Sequence, residues 1–156
     1  AVDYNTITHH LDMLKEHDVV EASDGDRIGG GEILVARGCS HLVVAGSGCG
    51  RLRVKLTAAQ KEHGVRPSAD VTMRSVAEAV DLQLVGVVLA GMGADGAAGA
   101  EAIHDAGGHV LAQNEASSAV FGMPKRAIER GCVDEVLPAD EIPDGILDAV
   151  ELEANA

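Results

Sequence analysis

A continuous apolar run from Leu84 to Leu89, reading LVGVVL, constrains the fold of this chain more than any other feature. A strand that is apolar on both faces is typical of a parallel sheet covered by helices on both sides. A second run, His109 to Gln113, follows small residues from Ala97 to Ala106 that predict a helix. We therefore predict a doubly wound α/β fold with a mostly parallel sheet. Leu84–Leu89 and Val110–Gln113 are predicted to be neighbouring central strands.

The first half of the chain has a different pattern. Two short β runs, Leu42–Ala45 and Leu52–Leu56, are separated by the glycine-rich segment Gly46–Gly50, which indicates an antiparallel hairpin. Ser68 is placed to cap a helix further on, and a short amphipathic helix is predicted at Ile7–His17. No linker, repeat or low-complexity tract interrupts the 156 residues, so we predict one domain over 1–156.

The chain carries a large excess of negative charge. Its 25 Asp and Glu residues against 12 Lys and Arg residues give a formal net charge of −13. A field of this sign repels phosphate backbones, so we do not expect a nucleic-acid partner. Such an acidic, lysine-poor composition is typical of adaptation to high salt, where screening weakens the repulsion between carboxylates. An ordinary acidic cytosolic protein is the alternative interpretation.

The cysteines and the hydropathy pattern indicate a cellular location. Cys39, Cys49 and Cys132 are an odd number without a CxxC pair, which fits free thiols in a reducing compartment. No apolar run reaches the ~18 residues of a membrane span, and no signal peptide is apparent at the start. We therefore expect a cytoplasmic protein that does not insert into a membrane.

The sharpest local motif is the glycine-rich segment Gly91–Gly96, reading GMGADG, which follows the first apolar run. It matches the G-x-G-x-x-G fingerprint of dinucleotide-binding domains, and Glu115 lies near the place of that fingerprint's acidic residue. The presence of Asp95 argues against this interpretation, because its carboxylate would face a pyrophosphate and repel it. The motif also comes too late in the chain for the usual cofactor domain. A nucleotide-binding module is therefore the less favoured hypothesis.

Asp95 itself has two possible roles. An aspartate at the carboxyl end of a buried strand can orient the histidine of a catalytic triad. It can also cap the helix that follows, by accepting hydrogen bonds from the first backbone amides of that helix. The residues alone leave both roles open.

Several segments together resemble the catalytic domain of the chemotaxis protein-glutamate methylesterases, the CheB family. In chain order they are ASDGD (22–26), RPSADV (66–71), VVLAGMGADGA (87–97), AQNEAS (112–117) and VFGMP (120–124). The resemblance runs from about Val19 to the C-terminus, and the paired motifs are far more specific than the glycine pattern alone.

The resemblance implies a hydrolase domain that removes methyl esters from chemoreceptor glutamates and deamidates receptor glutamines, without a metal or organic cofactor. It identifies Asp95 as the aspartate of a Ser-His-Asp triad. It also implies that Met92, with Gly91 and Gly93, lines the active site. The family usually has Thr before the first glycine of this motif, where this chain has Ala90.

Two motifs of the family do not occur in this sequence. They are the Gly-Ala-Ser-Thr-Gly-Gly turn that carries the nucleophile and the Gln-His-Met-Pro segment that carries the histidine. The predicted helix Ile7–His17 resembles the one that follows the histidine segment, so the chain is expected to begin downstream of both motifs and without a receiver domain. None of the histidines or cysteines in this sequence has neighbouring residues that would let it replace the missing serine or histidine. The pair His9-His10 lacks the ligand spacing of a metal site.

The expected function is therefore that of a methylesterase domain acting on methyl-accepting chemotaxis receptors. Because only one triad member is present, we expect the isolated chain to be inactive. A receiver domain or a complementing N-terminal segment is a further expected partner. The alternative is a non-catalytic relative that docks on receptors or partner proteins.

Overall fold

The computed structural model of the chain describes residues 18–46, 51–80 and 83–154. The predicted helix Ile7–His17 lies outside these residues, as does the tip of the predicted hairpin. None of the described helices is long and apolar enough to cross a bilayer. The described elements are β1 (Asp18–Glu21), β2 (Glu32–Val35), β3 (His41–Ala45), β4 (Arg53–Thr57), α1 (Ala69–Ala79), β5 (Val85–Val88), α2 (Ala97–Asp105), β6 (His109–Gln113), α3 (Met123–Glu129), β7 (Glu135–Leu137) and α4 (Ile142–Ala154).

The last three strands form a parallel sheet in the order β5–β6–β7. Helices cover both faces of its middle strand. Val110 packs with Ile103 of α2 and Ala127 of α3 in one buried cluster. Its neighbour Leu111 points to the other face, where α4 approaches so closely that a Cβ on Gly145 would lie 3.4 Å from the Leu111 side chain. The predicted doubly wound α/β fold with a parallel sheet is confirmed.

The two apolar runs are neighbouring strands, as predicted, because Val85 pairs with His109 and Val88 with Ala112. The predicted central position is right for β6. It is wrong for β5, which ends the sheet within the described residues. An apolar run indicates that both faces of a strand are covered, and it carries no information about whether both edges are hydrogen-bonded.

The strands of the first half form two separate pairs. β3 and β4 are antiparallel, with His41 opposite Thr57 and Ala45 opposite Arg53, so the predicted hairpin is confirmed. β1 and β2 form a parallel pair that the sequence did not predict. These strands surround their own buried cluster, in which Val54 and Leu42 pack.

Helix α1 connects the hairpin to the parallel sheet. Val76 of α1 packs against the buried clusters of both halves. Two hydroxyl groups of the same helix bind β3: Ser75 Oγ accepts a hydrogen bond from Val44 N at 2.9 Å, and Thr72 Oγ1 donates to Leu42 O at 2.8 Å. The hairpin is therefore attached to the sheet through one helix.

The contact between α1 and α2 is close enough to require a glycine. A Cβ on Gly99 would lie 2.6 Å from Met73 Cβ and 3.1 Å from Asp70 Cα. The approach lets Gly99 N donate to the fully buried Asp70 carboxylate at 2.6 Å. The glycine is thus required by the close approach of the two helices and not by an unusual backbone conformation.

We predict that Gly99→Ala lowers the free energy of unfolding by about 1 to 2 kcal/mol, because the cost of overpacking exceeds the gain in helix propensity. Thermal unfolding at constant salt measures the difference. Gly38→Ala is the control, since a Cβ there meets nothing within 4 Å. Equal unfolding temperatures for the two variants would contradict the close packing of α1 on α2.

The second edge of β5 has no strand partner among the described residues. An unpaired edge beside a strand with covered faces recruits another strand or aggregates. We predict that the chain self-associates, misfolds in part, or requires a complementing segment. Light scattering checks this, and a stable monomer that unfolds cooperatively would count against it.

Candidate functional site

The glycine-rich turn lies just past the carboxyl end of β5 and is held against the segment before α3. Gly91 N donates to Val120 O at 2.9 Å, and Gly91 O accepts from Met123 N at 2.8 Å. Gly93 has a φ of +100°, a left-handed conformation that strains any residue with a side chain. Backbone hydrogen bonds therefore fix one side of the turn, and Met92 and Gly93 on its other side are exposed.

Asp95 lies in this turn, half-buried, and its carboxylate accepts three hydrogen bonds from the start of α1. Ser68 Oγ donates to Oδ1 at 2.6 Å, Ala69 N to Oδ2 at 2.8 Å and Asp70 N to Oδ1 at 3.1 Å. A carboxylate at a helix N-terminus is stabilised by the unpaired amides and by the helix dipole. The chain thus uses Asp95 to bind a helix that lies 25 or more residues earlier in the sequence.

The expected capping role of Asp95 needs a correction. The sequence offered the helix that follows, α2, as the one to be capped. That helix begins at Ala97, and its N-cap residue, Gly96, has no side chain that could make a capping hydrogen bond. The carboxylate turns instead to α1, because the close packing at Gly99 brings the N-termini of both helices to the same place.

None of the histidines in the described part of the chain hydrogen-bonds to Asp95. His63 is the nearest in the hydrogen-bond network, with Nε2 at 2.9 Å from Asp70 Oδ2. His41 is fully buried and its Nε2 donates to Gln60 O at 3.1 Å. His104 and His109 approach Asp134 at the amino end of β6, at the opposite end of the sheet.

Met92 is the most exposed large apolar residue of the turn, with 84% of its surface accessible. Leu89 and Val120, beside it, are also about half exposed. The amides of Met92 and Gly93 donate to no acceptor among the described residues. The turn that carries Asp95 therefore has exposed apolar side chains at or near it, and two backbone donors without an acceptor in the described part of the chain.

Gln113 is a site residue whose role the sequence analysis missed. It is 6% exposed, and its side chain links β6 to the start of the glycine turn. Its Oε1 accepts from Ala90 N at 2.8 Å, and its Nε2 donates to Ser117 O at 2.9 Å. Gln113 is part of the AQNEAS segment that resembles the CheB family. A polar residue at the end of a buried strand does not by itself indicate which backbone amide it binds.

An apolar cavity of about 350 Å³ opens beside the start of α1. Ser68 lies in its wall, so the cavity is adjacent to the hydroxyl that binds Asp95. Its lining residues are Ala36, Pro67, Ser68, Ala69, Thr72 and Met73.

Glu62, His63 and Asp70 place one potential metal ligand each within 4.8 Å of the others. These groups already have partners. Arg74 binds Glu62 Oε2 at 2.5 Å, and this hydrogen bond lowers the pKa of Glu62 and raises that of Arg74. His63 and Gly99 N occupy the Asp70 carboxylate. The guanidinium bound to Glu62 opposes a cation, so we interpret the cluster as a network of polar contacts that holds the 57–67 loop on α1.

The cysteines do not offer a nucleophile in the described residues. Cys132 is buried, and burial raises the pKa of its thiol, which keeps it protonated. Cys39 is exposed and lies before β3, in the first half of the chain.

Together these features define a doubly wound α/β domain with a carboxylate-bearing turn at the carboxyl end of a parallel strand. The family model described as CheB methylesterase matches residues 4–146 of the chain. The chain therefore belongs to the CheB methylesterase family.

Individual relatives agree with this assignment. A protein-glutamate methylesterase/protein-glutamine glutaminase of Halobacterium salinarum is 58% identical over 140 residues, which are 90% of this chain and 40% of the relative. One of Haloarcula marismortui is 55% identical over 145 residues, 93% of this chain and 39% of the relative. The chain thus spans about two fifths of the length of the curated relatives it matches.

A solved structure matches the fold directly. The catalytic domain of Thermotoga maritima CheB methylesterase superimposes with a TM-score of 0.86 and 36% sequence identity. The match covers 92% of this chain and 75% of the solved one.

The pKa of Glu62 predicts how the stability of the loop depends on pH. Because folding lowers the pKa of Glu62 below its ordinary value near 4.5, its pairing stabilises the fold above that pH and is lost as the pH falls. Both side chains are about one-third exposed, so Arg74→Gln should lower the free energy of unfolding at pH 7 by only about 0.5 kcal/mol. This difference should be smaller at pH 3, because the pairing is lost as the pH falls through the lowered pKa of Glu62.

Urea unfolding at the two pH values measures the effect at constant salt. Arg126→Gln is the matched control, because Arg126 forms a more exposed pair with Glu129. A loss for Arg74→Gln that stayed the same at pH 3 would show that Arg74 acts by packing and not by pairing with Glu62.

Proposed function

We propose that the chain is the C-terminal part of a protein-glutamate methylesterase domain that acts on chemotaxis receptors. The observation that carries the proposal is the Asp95 carboxylate, anchored by Ser68 and two α1 amides at the end of β5. Membership of the CheB methylesterase family and the names of the curated relatives support the substrate class. Those names also support glutamine deamidation as a second reaction of the same site.

The proposed reaction is acyl transfer to water. A serine oxygen attacks the ester carbon of a methylated receptor glutamate, the C–O bond to the methoxy group breaks, and methanol leaves with a proton from the histidine. Water then attacks the acyl-serine, and the products are the glutamate carboxylate and the free serine. The sequence does not contain the family's serine and histidine motifs, so a segment that carries both must supply these two groups.

Asp95 suits the role of orienting the histidine because its own position is rigid. Its three hydrogen bonds come from the start of one helix, which is packed against α2. A fixed carboxylate selects one tautomer and one orientation of the imidazole and stabilises the imidazolium that forms. A freely rotating carboxylate would have to be ordered in every turnover.

The free amides of Met92 and Gly93 are the proposed donors to the oxyanion. They lie in the same turn as Asp95 and have no acceptor in the described part of the chain. Backbone donors of this kind stabilise the negative charge that develops on the ester oxygen in the transition state. Met92 would then contact the acyl group with its exposed side chain.

We place this activity in the cytoplasm, where reducing conditions suit the free thiols Cys39 and Cys132. The chemistry of a Ser-His-Asp triad calls for no metal or organic cofactor. The methyl-accepting receptors are the proposed partners, together with the segment that supplies the serine and the histidine.

We predict that the 156-residue chain alone releases no methanol from methylated receptor. The same chain, extended with a segment that carries the two missing motifs, should release it. In the extended chain, Asp95→Ala should lower kcat about 10⁴-fold, the order of loss when the aspartate of such a triad is replaced. Asp105→Ala, an exposed aspartate at the end of α2, is the matched control and should leave kcat unchanged.

Two outcomes would overturn the proposal in different ways. Turnover by the bare chain that Asp95→Ala abolishes would mean that one of its own histidines serves as the base. A folded extended chain without turnover, which still binds receptor, would favour the non-catalytic docking protein.

A further inference from the structure

We propose that Ser68 is a positioning residue for the methylesterase reaction, acting through its hydroxyl on Asp95. The inference rests on the proposed function and adds a residue to it. Ser68 lies 27 positions before Asp95 in the sequence and is 1% exposed. Its side chain therefore exchanges no hydrogen bonds with bulk solvent, and its partners are set by the fold.

The direction of the Ser68 hydrogen bonds follows from their partners. Its Oγ contacts Asp95 Oδ1 at 2.6 Å and Val71 N at 3.4 Å. The amide of Val71 can only donate, so the hydroxyl proton is directed to the carboxylate. The short distance is typical of a hydroxyl that donates to a charged oxygen. Ser68 thus caps α1 with its lone pair and binds Asp95 with its proton.

These contacts leave the two oxygens of Asp95 in different states. Oδ1 accepts from both Ser68 Oγ and Asp70 N, which uses both of its lone pairs. Among the described residues, Oδ2 accepts only from Ala69 N and keeps one acceptor site. Oδ2 is therefore the oxygen that receives the N–H of the catalytic histidine, and the Ser68 bond to Oδ1 fixes the direction in which Oδ2 points.

A second serine, Ser75 of α1, provides a control that distinguishes this positioning role from a general contribution of a serine hydroxyl to the stability of the helix. Ser75 Oγ accepts from Val44 N and donates to Thr72 O, so it also makes two hydrogen bonds in a partly buried place. It has no contact with Asp95. Ser75→Ala removes a hydroxyl from the same helix and leaves the carboxylate untouched.

The test uses the chain extended with the serine- and histidine-bearing segment, and methanol release from methylated receptor. Ser68→Ala should lower kcat about tenfold, because one hydrogen bond to a charged group is lost, and should leave KM unchanged. Ser68→Thr should keep most of the rate, since it keeps the hydroxyl, and the cavity that Ser68 lines offers space near the added methyl group. Ser75→Ala should stay near the unmodified rate.

A double variant distinguishes positioning from general destabilisation. If Ser68 acts only through Asp95, Ser68→Ala should cause no further loss of kcat in a chain that already has Asp95→Ala. A full tenfold loss in that background would overturn the proposal, and so would equal effects of Ser68→Ala and Ser75→Ala. Should Ser68→Ala fail to fold, Ser68→Cys keeps the shape with a weaker donor and should still lower kcat several-fold.

A spectroscopic measurement keeps this inference separate from the proposed function. If the unmodified extended chain releases no methanol, the proposed function has failed. The contact is then judged in the 156-residue chain from the carboxyl ¹³C resonance of Asp95. Ser68→Ala should shift this resonance and Ser75→Ala should not. An Asp95 resonance that has the same chemical shift in Ser68→Ala as in Ser75→Ala would refute the positioning role.

Discussion

The N-terminus of helix α1 is the point on which the rest of the structure depends. Its first amides and Ser68 bind the Asp95 carboxylate, and this contact joins the turn after β5 to a helix from the first half of the chain. Further along, Val76 packs into the buried clusters of both halves. One helix thereby fixes the hairpin, the parallel sheet and the candidate catalytic group relative to one another.

This arrangement explains why a capping role and a triad role do not compete for Asp95. A carboxylate has room for about four hydrogen bonds, and the start of α1 uses three. Capping anchors the group on the side that faces the helix, and the remaining acceptor site has no donor among the described residues, so the proposed histidine can use it.

Close packing at two glycines makes the arrangement possible. Gly99 allows α1 and α2 to approach until Asp70 binds a backbone amide of α2. Gly91 lies against the Met123 side chain, where an added Cβ would be 2.3 Å from the sulfur atom, so the missing side chain at Gly91 lets Met123 of α3 pack on the turn. The position of Asp95 is thus set by contacts on both sides of the turn, one through α1 and the other through the segment before α3.

The sequence by itself determined the local structure, the class of fold and the family. Apolar runs such as Leu84–Leu89 indicate covered strand faces, and Ser68 marks the start of a helix, because these signals depend on neighbouring residues in the chain. Only the tertiary structure decided which helix Asp95 caps, that β5 ends the sheet of the described residues, and that Gln113 holds the glycine turn. Each of these depends on groups that are more than 20 residues apart and meet only when the elements pack, and no local pattern encodes which of several possible donors will reach a given carboxylate or amide oxygen.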